Sequence, residues 1–143
     1  MLLKRLPLSL VSGNRFTILK GCIKLKILVV DDNLDHRDLT RRALITHGHE
    51  VILAADGESG LQMAEDCKPD VILSDLGLPD LDGQTLVGLM RRIPELMHTP
   101  IIAVTAWPND TLGEMVTDYG FDGCIPKPIT VATFADQVAT YVT

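Results

Sequence analysis

Four apolar runs in this chain end in polar residues of a kind that could do chemistry together. Ile27-Leu28-Val29-Val30 ends in Asp31 and Asp32, and Val71-Ile72-Leu73-Ser74 ends in Asp75. Ile101-Ile102-Ala103-Val104 ends at Thr105, and Gly123-Cys124-Ile125-Pro126 ends at Lys127. If each run is a buried strand, its polar end is delivered to one edge of a sheet. Packing does not ask for that: a pair of carboxylates ~5 Å apart repels by about 3 kcal/mol at an effective dielectric near 20. A hard divalent cation or an ammonium makes sense of such a cluster. Asp31, Asp32 and Asp75 offer the oxygen ligands that Mg2+ favours, a few carboxylates plus waters. Asp75 stands alone at its strand end, followed by Leu76-Gly77-Leu78, and could also attack phosphorus as a carboxylate nucleophile. Lys127 would neutralise phosphoryl oxygens, and Thr105 would donate a hydroxyl to them, in a transfer that is mostly positioning and charge stabilisation.

The elements that must position these groups are legible from periodicity. Strands are predicted at about 25–30, 51–54, 71–74, 101–105 and 123–126, and helices at about 33–47, 58–68, 83–92, 110–119 and 130–142. The first helix carries an apolar stripe at His36, Leu39, Thr40, Ala43, Leu44 and His47, which assigns the two histidines to helix-flank packing. Gly48 is its expected terminator, and Asp31-Asp32 could cap its start. The last helix repeats Val131, Phe134, Ala135, Val138 and Val142. Asp80 and Asp82, in Pro79-Asp80-Leu81-Asp82-Gly83, are expected to be solvated turn residues. Alternating strands and helices with short connections imply a parallel sheet covered on both faces, with ligands at the carboxyl ends of the strands.

Bulk properties narrow the function classes. The 143 residues suffice for one domain, and a 46% hydrophobic fraction with only 4% aromatics implies an aliphatic core. Residues 1–26 hold Lys4, Arg5, Arg15, Lys20, Lys24 and Lys26 and no acids, so the net charge of -6 conceals a strongly acidic body. Such a body is not a duplex-binding surface. Cys22, Cys67 and Cys124 have no metal-site or disulfide spacing, which fits reduced thiols in the cytoplasm. No apolar stretch approaches the ~20 residues of a membrane span. Lys4-Arg5 before Leu6–Val11 is a poor export signal, broken by Pro7 and Ser9. Residues 1–24 are expected to be a flexible basic extension, and residues 25–143 the folded domain.

Leu28-Val29-Val30-Asp31-Asp32-Asn33, Asp75-Leu76-Gly77-Leu78-Pro79-Asp80-Leu81-Asp82-Gly83, Thr105-Ala106 and Lys127-Pro128 resemble the signature of two-component response regulator receiver domains. The resemblance covers residues 25 to 143. It implies an α/β, flavodoxin-like, doubly wound sheet of five parallel strands in order 2-1-3-4-5 with five helices. It also implies Asp75 as phosphoacceptor, and Asp31, Asp32, Asp75 and the Gly77 backbone carbonyl as Mg2+ ligands. Thr105 would be the switch hydroxyl, Lys127 the phosphate-pairing lysine, and Lys127-Pro128 a cis peptide. The implied partners are a sensor histidine kinase or histidine phosphotransfer protein, and a downstream protein on the face of the fourth helix, fifth strand and fifth helix. Neither nucleic acid nor membrane is among them. Because the chain stops where the last helix should, no output domain is expected, and no chemistry beyond self-phosphorylation and self-dephosphorylation.

Three positions depart from that pattern. The aromatic residue usual three positions before the lysine is Cys124, so the signal would travel by Thr105 and loop movement, or the thiol would make the switch redox-sensitive. Pro126 gives up a ladder hydrogen bond, tolerable in an edge strand. Trp107 could roof an acyl phosphate against water, or pack on the surface. Two other readings fit the sequence: an interaction module that is never phosphorylated, and a small aspartyl-phosphate phosphatase. Haloacid-dehalogenase-type phosphatases place their nucleophile in a DxD motif on the first strand, whereas here the lone acid follows the third.

Overall fold

Side chains alternate across a pleated strand, so a strand that is apolar at every position must be covered on both faces. In the computed structural model, which describes residues 17–19, 22–106 and 119–142, the three central strands of the parallel sheet meet that condition, and its two edge strands are only partly covered. A short antiparallel pair, β1 (Thr17–Leu19) and β2 (Cys22–Lys24), comes first. Then follow β3 (Lys26–Val30), α1 (Leu34–Ile45), β4 (Glu50–Ala54), α2 (Gly57–Cys67), β5 (Val71–Ser74) and α3 (Gly83–Arg91). A 3-10 turn at Pro94–Leu96, β6 (Ile101–Thr105), β7 (Gly123–Pro126) and α4 (Val131–Val142) complete the order.

Strands β3 to β7 form one parallel sheet in the order β4-β3-β5-β6-β7. Counted along the chain this is 2-1-3-4-5, the flavodoxin-like arrangement. Ile27 and Val29 point to one face and join Val71, Leu73, Ile102, Ile125, Phe134 and Val138 in one core. Leu28 and Val30 point to the other and join Ile72, Leu86, Met90 and Phe121. The pair β1–β2 adds to the expected elements. Four α-helices lie among the described residues; the helix expected at about 110–119 falls, but for its last residue, outside them, as does Trp107. Lys4, Arg5, Arg15 and Lys20 also lie outside the described residues.

Several local expectations are corrected. Asn33, not Asp31 or Asp32, caps α1: its side chain accepts the His36 N–H at 3.0 Å. The buried residues of α1 are Thr40, Ala43 and Leu44, while His36 and His47 are exposed. The apolar stripe is therefore narrower than the periodicity allowed, and in α4 Val131 is likewise 40% exposed. Gly48 does end α1, with φ of 85° and its N–H on the Ile45 carbonyl at 2.9 Å. That left-handed conformation favours glycine. Strand β7 is an edge strand, where Pro126 costs little.

The sheet winds one way from β3 through α1 to β4, then returns across β3 through α2 to β5. The order reverses between β3 and β5, and a crevice opens there at the carboxyl ends. Asp31 and Asp75 stand on either side of it.

Candidate functional site

The strand ends bring their acids together. Asp75 donates its backbone N–H to the Val30 carbonyl at 2.9 Å, and Asp31 donates its own to Ala54 at 3.1 Å, so the sheet ladder itself fixes both residues. Oxygens of Asp31, Asp32 and Asp75 all lie within 4.8 Å of one another. Asp31 is buried, Asp75 half-buried and Asp32 exposed, so the cluster has one wall in solvent. Asp31 Oδ1 accepts the Asn33 N–H at 2.9 Å, and the Arg37 guanidinium donates to the Asp31 carbonyl at 2.8 Å. Asp75 Oδ1 accepts the Gly77 N–H at 3.3 Å.

Lys127 arrives from the end of β7, its backbone N–H on the Thr105 carbonyl at 2.8 Å, and its peptide bond to Pro128 is cis. Its ammonium carries three donors, and all are engaged. Nζ donates to Asp31 Oδ2 at 2.7 Å, to Asp75 Oδ2 at 3.2 Å and to His36 Nδ1 at 2.9 Å. Thr105 is buried at the end of β6, beside Pro126 in register. Of the strand-end residues singled out in the sequence, all stand at this one edge.

His36 belongs to the site and not to the helix packing that its spacing predicts. A cue was available: it lies one helical turn beyond Asp31-Asp32, on the side of α1 that faces them. Together with Leu39, Thr40, Ala106, Lys127 and Pro128 it lines a cavity of about 280 Å³ next to the acids. Asp80 and Asp82 also do more than face solvent. Asp82 caps α3 by accepting the Thr85 N–H at 2.7 Å, a bond that holds its carboxyl below the usual range. Asp80 takes N–H groups from the first turn of α2.

The donor set fits Mg2+. Three carboxylates meet with all-oxygen chemistry and an open side for water. Gly77 follows closely, with open space where a Cβ would stand. Its bridge to Asp82 runs through the Gly83 N–H and the Leu76 carbonyl, at 2.9 Å, which leaves its own carbonyl out of that bond. Asp31, Asp32, Asp75 and the Gly77 carbonyl would hold the ion.

A family model for the response regulator receiver domain matches residues 27–139. The chain belongs to the response regulator receiver family. Members of that family serve two-component signalling. This receiver is 32% identical over 116 residues to the polar-differentiation response regulator DivK of Brucella anthropi, a match covering 81% of this chain and 94% of that one. Its fold superposes on the chemotaxis response regulator CheY4 of Vibrio cholerae with a TM-score of 0.78, at 29% identity, covering 82% of this chain and 98% of the other. The receiver domain of a Pseudomonas aeruginosa sensor histidine kinase, solved with a magnesium ion coordinated in its active-site cleft, gives a TM-score of 0.76 at 29% identity. That match covers 83% of this chain and 98% of that one. No helix among the described residues is long and apolar enough to cross a membrane.

Proposed function

We propose that this receiver accepts a phosphoryl group on Asp75 from a histidine kinase or histidine phosphotransfer protein and signals by a change of shape. The observation that carries this reading is the Lys127 ammonium held between Asp31 and Asp75 at 2.7 and 3.2 Å. A carboxylate oxygen of Asp75 bonds to phosphorus as the P–N bond to the donor imidazole breaks, the leaving nitrogen keeping the electron pair. Lys127 redirects a proton toward a phosphoryl oxygen, and the Thr105 hydroxyl donates to another. Mg2+, when bound, supplies positive charge to the phosphoryl oxygens. The product adds a charge of about -1.5 to -2 at the crevice, enough to shift a loop equilibrium if the two states differ in how they bind it.

The partners are proteins, with output through the face that includes β7 and α4, and the setting is the cytoplasm. No external substrate is turned over. The test is labelling by acetyl phosphate followed by intact mass. One phosphoryl group should add in the presence of Mg2+, none with EDTA, and none in Asp75→Asn. Folded parent protein that takes no label under any condition would favour the unphosphorylated interaction module instead.

A further inference from the structure

The loop from β5 to α3 carries Gly77; Leu78 in its middle is buried in the core, and hydrogen bonds fasten the loop at two places. At its base the Gly83 N–H meets the Leu76 carbonyl at 2.9 Å, next to the Gly77–Asp82 bridge. Near its tip Asp80 reaches across to α2: Oδ1 accepts the Gly57 N–H and Oδ2 the Glu58 N–H, each at 2.8 Å. First-turn N–H groups have no acceptor within their own helix. The side chain of Asp56, the N-cap residue, is engaged by Ser59, taking its N–H at 2.8 Å and its hydroxyl at 2.6 Å. The other donors are thus met by a carboxylate from a different loop. The contact is close, since a Cβ on Gly57 would lie 2.9 Å from Leu81 Cβ and 3.2 Å from Asp80 Oδ1. The Gly57 and Glu58 N–H groups, in that order, hold the Asp80 carboxyl below the usual carboxylate range.

We infer that Asp80 is a positioning residue for the metal site: by tying the β5–α3 loop to the first turn of α2, it fixes the Gly77 carbonyl where Mg2+ would meet it. This rests on the Mg2+ reading given above. A loop ordered in advance does not have to be ordered by the ion, so the tether strengthens binding without touching the metal. Without that tether, the stretch from Gly77 to Leu81 would be held only by the base bridge and by the packing of Leu78 and Leu81 in the core.

Mg2+ titration by calorimetry of the parent, Asp80→Ala, Asp80→Asn and Asp56→Ala tests it, with amide exchange at Gly57 and Glu58 followed in parallel. Asp80→Ala should weaken Mg2+ roughly 10-fold, the low end of what outer-shell partners contribute. Asp80→Asn keeps one acceptor oxygen and should fall between. Asp56→Ala uncaps the same helix but leaves the loop tied, so it should lower the melting temperature and keep the parental affinity. Parental affinity in Asp80→Ala, once the Gly57 and Glu58 amides have lost protection, overturns the inference. So does an equal loss in Asp56→Ala, which would make helix stability the cause. Should Asp80→Ala not fold, Asp80→Asn set against Asp56→Ala decides by the same criteria. A parent that binds no Mg2+ overturns the metal reading and this inference together.

Discussion

At the carboxyl edge of the sheet three carboxylates gather about one ammonium, which bonds to only two of them, whereas at the end of α3 one guanidinium meets as many acceptors as it has N–H donors. Arg91 donates to the carbonyls of Gly120, Leu96, Met97 and Thr99 at 2.7 to 3.3 Å, and to Asp122 Oδ2 at 2.7 Å. Asp122 Oδ2 in turn accepts the Ile101 N–H at 2.9 Å. That cluster closes on itself, joining α3 to the turn before β6 and the turn before β7. The acidic cluster does not close: Asp31 and Asp75 share Lys127, Asp32 adds a third negative charge, and one side lies open. Ionic groups that complete one another hold a fold, and a surplus of one sign is a site kept for something that arrives.

Removing charge should therefore act in opposite directions at the two places. Arg91→Ala leaves the partly buried carbonyls of Gly120, Leu96 and Thr99 without their donor, along with the half-exposed Asp122 carboxylate, and should cost about 3 kcal/mol of stability in urea denaturation. Arg91→Lys keeps the charge but not the planar fork of five donors, and should recover less than half of that loss. A loss within experimental error for Arg91→Ala would erase the contrast.

Asp32→Asn removes one of the crowded anions. In EDTA the variant should be more stable than the parent, by on the order of 0.5 to 1 kcal/mol once solvent screening of an exposed group is allowed for. Excess Mg2+ should reverse the order, because the parent gains more from an ion that it binds more tightly. Melting curves with and without Mg2+ read both signs. Curves that keep the same order in both buffers would mean that the acids are not held in mutual repulsion for a cation.

The acidic edge was legible in the sequence because each of its residues ends an apolar run, and strand direction alone then puts them together. Strands 71–74, 101–105 and 123–126 match their expected bounds; the first two are covered on both faces, and such a strand is buried throughout and stops at its polar end. The Arg91 cluster was not legible. All but one of its acceptors are backbone carbonyls, which have no signature in a sequence, and the loops that supply them come together only in the fold. Asp80 is an exposed turn residue as expected, but its tether was illegible for the same reason: its partners are amides of a helix more than twenty residues earlier, at Gly57 and Glu58. His36 looked like packing because a spacing of three and four cannot tell the core side of a helix from the side that borders a site.

The smallest effect concerns another histidine, and it extends the same division. His36 faces Lys127 at the open site, whereas His49 is structural: its Nδ1 accepts the Leu25 N–H at 3.1 Å where the chain enters the sheet. Burial first, and the nearby His47 second, lower its pKa from the ordinary 6.5. The unfolded chain then binds the proton more readily than the folded one, and stability falls as pH drops from about 6.5 toward the depressed folded value. Above 6.5 this contribution is complete, and below the folded value the loss levels off. His49→Gln keeps an acceptor for Leu25 but cannot titrate. The difference in unfolding free energy between parent and His49→Gln should therefore be flat above pH 7 and slope downward just below 6.5. If that difference is flat across the whole range, His49 plays no part in the acid sensitivity of the fold, and the source must be sought at the acidic edge instead.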